Sequence, residues 1–151
     1  MKNEMTLTFL AKSENEAFAR NAVAAFCVGL DPTIDQINDI KTAVSEAVTN
    51  AIVHAYPNSK GENYVTVRTS IDDTSVHIVV SDTGIGIDDI ESAVQPFYTS
   101  KPEDERSGMG FTVMESFTDK LTIEKNEPVG TVVTMTKTIR GADWKKKKHC
   151  D

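Results

Sequence analysis

The chain has 151 residues, of which 39% are apolar and 26% charged, and its formal net charge is −7. This size and composition are typical of one folded domain with a substantial core, and they exclude a disordered chain. The acidic balance argues against direct nucleic-acid binding, and the lack of an apolar run of about 18 residues argues against a membrane span. Cys27 and Cys150 have no metal-ligand spacing, so we expect a protein of the reducing cytoplasm.

The N-terminal stretch predicts a strand followed by a helix. Polar and apolar residues alternate over 4–11, which is typical of a strand with one buried face. The helix is predicted to begin with a capping box between Ser13 and Glu16 and to end near Val28. Glu16 and Arg20 have the spacing of a surface ion pair, and a solvated charge is the simple interpretation of Arg20. The predicted buried stripe, on the other side of the helix, comprises Phe18, Ala22, Ala25 and Phe26.

A second, longer helix is the central feature of the sequence. Asp31 and Pro32 are predicted to open it as the N-cap and the first helical residue. Glu46 and Asn50 lie four residues apart, on roughly the opposite side from the apolar stripe, where a polar pair can serve solubility alone. The apolar stripe recurs at helical spacing and comprises Ile37, Ile40, Val44, Val48, Ala51 and Ala55.

The middle of the chain predicts a hairpin and then an irregular region. Alternating apolar residues predict two antiparallel strands that turn at Asp72 and end at Asp82. Residues 88–94 are predicted as a short helix. Residues 95–106 contain two prolines and many charges, and they predict a long loop of the kind that forms lids or binding loops.

The last third of the chain predicts a helix from about Phe111 and two strands over 120–125 and 131–138. The complete order predicts an α+β two-layer sandwich, with a mixed, mostly antiparallel sheet and helices on one face. We expect one domain over 1–140 and a basic, disordered tail over 141–151.

Three short blocks carry residues suited to nucleotide chemistry. Asp82 ends a strand and offers a carboxylate acceptor for an exocyclic amine such as that of adenine. Gly84 and Gly86 would permit close backbone approach to a flat base, although an ordinary Asp-x-Gly turn is the alternative.

The other two blocks offer groups for phosphate and metal. The segment 107–110 joins a loop to a helix, and free backbone N–H groups at a helix start bind phosphate, although a plain junction is the alternative. Asn50 offers a neutral oxygen for magnesium, which takes few protein ligands in phosphate sites. Glu46, one turn earlier, is placed to accept a proton from an attacking hydroxyl.

Together these blocks resemble the motifs of the GHKL ATPase superfamily, which includes gyrase-type ATPases, Hsp90 chaperones, MutL proteins and histidine kinases. Glu46 and Asn50 match its N box, and the segments 82–86 and 108–110 match its two glycine boxes. Thr131 matches the threonine that assists the adenine-binding aspartate. The resemblance implies a Bergerat fold that holds ATP and magnesium under a flexible lid.

Longer segments, at 45–51, 95–97, 99–102 and 105–111, are similar to one family in particular, and the similarity extends over 1–138. This family comprises the anti-sigma factors of endospore-forming bacteria that control the forespore sigma factor F. The resemblance implies a homodimer that sequesters sigma factor F in its ATP-bound form. It also implies a serine kinase that phosphorylates a small anti-anti-sigma protein of the STAS type and leaves ADP as product.

The resemblance also implies roles for individual residues. Glu46 would be the general base and Asn50 the magnesium ligand, and Arg106 would be a charge clamp near the γ-phosphate or the partner. Arg20, beside Glu16, would contact the partner proteins. The nucleotide-binding residues would be Asp82, Gly84, Gly86 and Thr131 at the adenine and Ser107, Gly108 and Gly110 at the phosphates.

Two alternatives stay open. The first is the ATPase domain of a histidine kinase, although that class usually carries asparagine where this chain has Glu46. The second is a non-catalytic module that binds ATP and sequesters a partner, in which a base at Glu46 would have no task.

Overall fold

A computed structural model describes residues 2–57, 61–88, 90 and 110–139. The predicted helix at 88–94 and loop at 95–106 lie wholly or mostly outside the described residues, as does the tail at 141–151. The described elements are β1 (Asn3–Leu10), α1 (Glu14–Cys27), a 3-10 turn (Val28–Leu30), α2 (Ile34–His54), β2 (Tyr64–Ile71), β3 (Ser75–Asp82), α3 (Gly110–Phe117), β4 (Lys120–Lys125) and β5 (Thr131–Thr138).

The five strands form one sheet in the order β1-β2-β3-β5-β4, and the four pairings are all antiparallel. The hairpin of β2 and β3 pairs Val67 with Val80, so both side chains lie on the same face. Leu7 of β1 and Val133 of β5 continue that row across the sheet. The predicted strands are therefore confirmed, nearly to the residue.

The core lies between this face of the sheet and the helices. Val44 and Val48 of α2 are fully buried against apolar residues of β2, β3 and β5, as the helical stripe predicted. Ala43 and Ala47, on the same side, are also buried and allow α2 to lie close to its neighbours. The fold is therefore the predicted α+β sandwich, in which helices cover a sheet whose described strands are all antiparallel. In the described part of the chain, no helix combines the length and apolar character that a membrane crossing needs.

The buried face of α1 differs from the prediction. Phe18, expected in the core, is 60% exposed, and Ala25 is also exposed. The core side instead carries Ala19, Val23 and Cys27, each fully buried. These are small side chains at helical spacing, and they let α1 pack closely against α2 and the sheet. The helix has apolar residues on more than one side, so spacing alone did not identify the buried one.

The predicted capping box of α1 is absent. Ser13 has helical backbone angles, φ −57° and ψ −34°, and its side chain makes no capping hydrogen bond. A cap needs an extended backbone to aim its oxygen at the first turn, and Ser13 does not adopt one. The Glu16 carboxylate, which would complete the box, accepts instead from Arg20 one turn later.

The start of α2 also differs from the prediction. The helix begins at Ile34 and is capped by Thr33, not Asp31. The Thr33 hydroxyl accepts from the Gln36 N–H at 3.1 Å, and the Gln36 side chain accepts from the Thr33 N–H at 3.0 Å. This reciprocal pair satisfies two helix-terminal N–H groups, whereas Asp31 adopts a left-handed φ of 57° at the end of the 3-10 turn.

Candidate functional site

The first part of the site lies where α2 meets the start of α3. Glu46 and Asn50 are half-buried on α2. Gly110, the first residue of α3, lies over both: a Cβ atom built on Gly110 would be 3.0 Å from Asn50 Nδ2 and 3.3 Å from Glu46 Oε2. The fold therefore brings the predicted base, the predicted metal ligand and the predicted phosphate-binding backbone into contact.

The second part of the site is the carboxylate of Asp82 at the end of β3. Asp82 is only 7% exposed. Its Oδ1 atom accepts from the Gly84 N–H at 3.0 Å and from the Thr131 N–H at 3.2 Å. Within the described residues Oδ2 accepts no hydrogen bond. One oxygen is thus fixed by the backbone, and the other is available to a ligand donor.

Burial changes the pKa of this carboxyl group. Desolvation raises the pKa of Asp82 above its ordinary value of 3.8, and the hydrogen bonds from Gly84 and Thr131 oppose that rise. Buried carboxylates with raised pKa values are typical of functional sites.

The glycine turn after Asp82 rests on the end of α2. A Cβ atom on Gly84 would overlap the carbonyl oxygen of Ala55, and that same oxygen accepts from the Ile85 N–H at 2.9 Å. The structure thus explains the glycine at position 84 differently from the sequence, which predicted close approach of the backbone to a flat base. Glycine is needed here because the turn contacts the backbone of α2. Gly86 has a left-handed φ of 78° and lies against Gly130.

Two residues that the sequence did not indicate hold this turn in place. The Tyr56 hydroxyl accepts from the Thr83 N–H at 3.0 Å and donates to the Tyr64 carbonyl at 2.8 Å. Asn126 donates from Nδ2 to the Asp82 main-chain carbonyl at 2.8 Å. These contacts link distant parts of the chain, so no local pattern in the sequence points to them.

The predicted partner-contact residues form an ion pair on α1. Arg20 Nη1 donates to both carboxylate oxygens of Glu16, at 3.1 and 3.0 Å. The Arg20 side chain is 36% exposed and that of Glu16 only 16%, so the pair lies at the margin of the core and not on the open surface. Within the described residues the other guanidinium nitrogens make no hydrogen bond, so they are available to a partner.

The structure therefore places the predicted site residues in two groups joined by α2. One group is Glu46, Asn50 and Gly110, and the other is the turn 82–86 with Thr131. Arg106, Ser107 and Gly108 lie outside the described residues.

Comparison with known proteins identifies the family of this arrangement. Residues 9–137 match the histidine kinase-like ATPase domain family. The anti-sigma F factor of Clostridium beijerinckii is 56% identical over 135 residues, which are 89% of this chain and 94% of that protein. The anti-sigma F factor of Bacillus licheniformis is 53% identical over 137 residues, which are 91% of this chain and 93% of that protein.

Solved structures with lower identity share the fold. The RsbU and RsbW domains of a Mycobacterium tuberculosis protein have a TM-score of 0.64 at 22% identity, covering 93% of this chain and 34% of that one. The catalytic domain of the histidine kinase ThkA has a TM-score of 0.55 at 17% identity, covering 89% of this chain and 97% of that one. The chain belongs to the anti-sigma F factor family and is built on a GHKL-type, histidine kinase-like ATPase domain.

Proposed function

We propose that this protein is an ATP-dependent anti-sigma factor that binds and inhibits the forespore sigma factor F. It acts as a cytoplasmic homodimer and phosphorylates a STAS-type anti-anti-sigma protein on serine. The observation that supports the kinase assignment is the position of Gly110 over Glu46 and Asn50, where the backbone of α3 lies beside a carboxylate and a neutral amide oxygen. The relatives named anti-sigma F factor support the choice of sigma factor.

Asp82 is the residue that fits adenine. Its Oδ2 atom has no bond from the described residues, and a carboxylate oxygen accepts from the amine of adenine. Oδ1 is held by Gly84 and Thr131, so the acceptor is oriented before the base arrives. Gly86 and Thr131 complete the expected adenine side of the site.

The phosphates fit the start of α3. The described part of α3 starts at Gly110, and backbone N–H groups at the start of a helix favour anions. Ser107 and Gly108 would extend that set of donors. Asn50 would hold the magnesium ion, whose charge neutralises the phosphate oxygens when it is bound.

Glu46 then supplies the proton acceptor for transfer. The hydroxyl of the partner serine attacks the γ-phosphorus, and the bond between that phosphorus and the ADP oxygen breaks. The serine proton passes to the Glu46 carboxylate, and ADP leaves. Arg106 would clamp the charge of the transferring group or contact the partner.

Replacement of Glu46 tests this assignment. Glu46→Gln keeps the size of the side chain but replaces the carboxylate, which can take up the proton, with a neutral amide that carries two N–H donors. We expect nearly normal ATP binding by calorimetry, and phosphotransfer to the STAS protein reduced by about 10²-fold or more. Glu124→Gln, on the exposed part of β4, is the matched control and should behave as the wild type.

The same assay separates the alternatives. Acid-stable phosphoserine on the partner supports the proposal, whereas acid-labile phosphohistidine supports a histidine kinase. ATP-dependent sigma binding with no transfer supports a non-catalytic module. Unchanged transfer in Glu46→Gln removes Glu46 from the mechanism.

A further inference from the structure

The turn that joins β4 to β5 reaches the residue that carries the adenine assignment. β5 pairs with β3 as far as Ser81↔Val132, and Asp82 lies one residue beyond that pair. There the main-chain carbonyl of Asp82 accepts from Asn126 Nδ2 at 2.8 Å. The Asn126 side chain thus hydrogen-bonds the end of β3 to the β4–β5 turn, just beyond the last paired residues of β3 and β5.

The β4–β5 turn packs closely against the main chain of Asp82. Asn126 is half-buried, whereas the residues at 124, 125 and 127–129 are all exposed. The Asn126 N–H donates to the Gly130 carbonyl at 3.0 Å and closes the turn. Gly130 is buried with a left-handed φ of 111°, and a Cβ atom there would overlap the Asp82 carbonyl oxygen. The turn therefore has little freedom to move without moving Asp82.

Asp82 pairs with Val65 of β2 at the end of the β2–β3 register, and two further sets of bonds fix it. Asn126 holds its main-chain carbonyl, while Thr131, which follows the same turn, and Gly84 hold Oδ1. The direction of Oδ2 depends on both sets, because Oδ2 has no bond of its own from the described residues. We infer that Asn126 is a positioning residue that sets the nucleobase selectivity of this site through the main chain of Asp82.

The chemistry of selection follows from the direction of Oδ2, and this step rests on the proposed function. Adenine presents an amine donor to the carboxylate, whereas guanine presents a carbonyl oxygen at the equivalent position. The guanine carbonyl oxygen and a fixed Oδ2 are both acceptors and repel each other, so the affinity for guanine is lowered. If Asp82 can shift, the bond to adenine weakens and the repulsion from guanine is relieved.

Calorimetry with ATP and GTP tests the inference. We expect Asn126→Ala to bind ATP about tenfold more weakly and to bind GTP as well as or better than the wild type, because one positioning hydrogen bond is lost. Asn126→Ser keeps a hydroxyl donor and should recover part of the ATP preference. Asn38→Ala removes an exposed asparagine of α2 and should leave both affinities unchanged.

A purely structural role for Asn126 has a different signature. With such a role, Asn126→Ala would lower the melting temperature and weaken the affinities for ATP and GTP by the same factor. That result would overturn the inference. If Asn126→Ala does not fold, Asn126→Asp keeps the side-chain size and replaces the donor with an acceptor, and it should show the same loss of selectivity. A wild-type protein that binds ATP and GTP equally would overturn the Asp82 assignment in the proposed function and this inference with it.

Discussion

The two carboxylate oxygens of Asp82 have different surroundings. Oδ1 accepts two backbone N–H groups, whereas Oδ2 has no bond from the described residues. Because burial raises the pKa of Asp82, the folded protein takes up this proton at a higher pH than the unfolded chain does. The ionised carboxylate therefore costs folding free energy at neutral pH, and that cost disappears as the pH falls. A residue that destabilises the free protein in this way is consistent with a ligand-binding role.

The raised pKa predicts a pH dependence of nucleotide binding. ATP affinity should fall as the pH is lowered, with a midpoint above 3.8, because protonation weakens the acceptor that we propose faces adenine. Asp82→Asn should bind ATP weakly at every pH in that range and should be as stable as the wild type, or more stable, at pH 7. Calorimetry over a pH series, within the range where circular dichroism shows folded protein, measures the effect.

Asp72 provides the matched control for that experiment. Its hydrogen bond to His77, together with the N–H groups of Thr74 and Ser75, holds the pKa of Asp72 well below its usual value. Its stabilisation is present above the ordinary pKa of an aspartate and is lost as the pH falls, which is the opposite direction from Asp82. Asp72→Asn should change acid stability and leave the pH profile of ATP binding unchanged. A wild-type ATP affinity that is constant across the series would contradict the role of Asp82.

At the scale of elements, the contact between the glycine turn and the end of α2 joins the two halves of the site. Gly84 lies against the Ala55 carbonyl, which also binds the Ile85 N–H. Asn50 lies on the same helix as Ala55, slightly more than one turn earlier. A displacement of the turn from α2 would therefore move the proposed adenine-binding residues relative to the proposed phosphate-binding residues.

Gly84→Ala tests this contact. The added Cβ atom would overlap the Ala55 backbone, so we expect a loss of about 1–3 kcal/mol in the free energy of unfolding and a weaker affinity for ATP. A loss of that size lowers the melting temperature by about 2–4 °C per kcal/mol in a domain of this length. Gly61→Ala is the matched control, because a Cβ atom at Gly61 meets nothing within 4 Å. Equal melting temperatures for the two variants would show that the turn is not held against α2.

The elements that the sequence predicted well depend on local patterns. The strands β2 and β3 alternate apolar and polar residues around an Asp-rich turn, so their bounds follow from neighbouring residues alone. The start of α2 was wrong because Asp31 and Thr33 both suit an N-cap, and the reciprocal bond with Gln36 decides between them. The contacts of Tyr56 and Asn126 with the Asp82 turn span distant parts of the chain, and no pattern in the sequence indicates them.

At the scale of the whole molecule, the proposed nucleotide-binding residues and the Arg20–Glu16 pair lie on different elements. Among the described residues, the former are on α2, α3, β3, the turn that follows β3, and β5, and the latter are on α1. Because the two sets of residues are on different elements, a change of partner at the proposed contact pair does not require a change in the proposed ATP-binding residues. If sigma factor and the STAS protein both contact Arg20, they compete for one overlapping binding surface. The STAS protein can then displace the sigma factor without any change in the affinity for nucleotide.

Reversal of the charge at Arg20 tests the shared surface. Arg20→Glu should lose binding of sigma factor F and of the STAS protein together, each by about 10²-fold, because like charges at an interface cost several kcal/mol. ATP affinity should stay unchanged. The melting temperature should fall slightly, since two glutamates would then face each other at the margin of the core, at a cost of about 1 kcal/mol.

The charge-swapped variant Glu16→Arg with Arg20→Glu separates folding from recognition. It restores an ion pair on α1 and should recover the melting temperature, but it presents the reversed charge to both partners and should not recover their binding. Melting temperature, ATP affinity and binding to each partner are measured on one preparation of each variant. Normal binding of both partners by Arg20→Glu would show that Arg20 only pairs with Glu16. Loss of one partner alone would show that the two proteins contact different surfaces, and competition between them would then require a conformational link through α2.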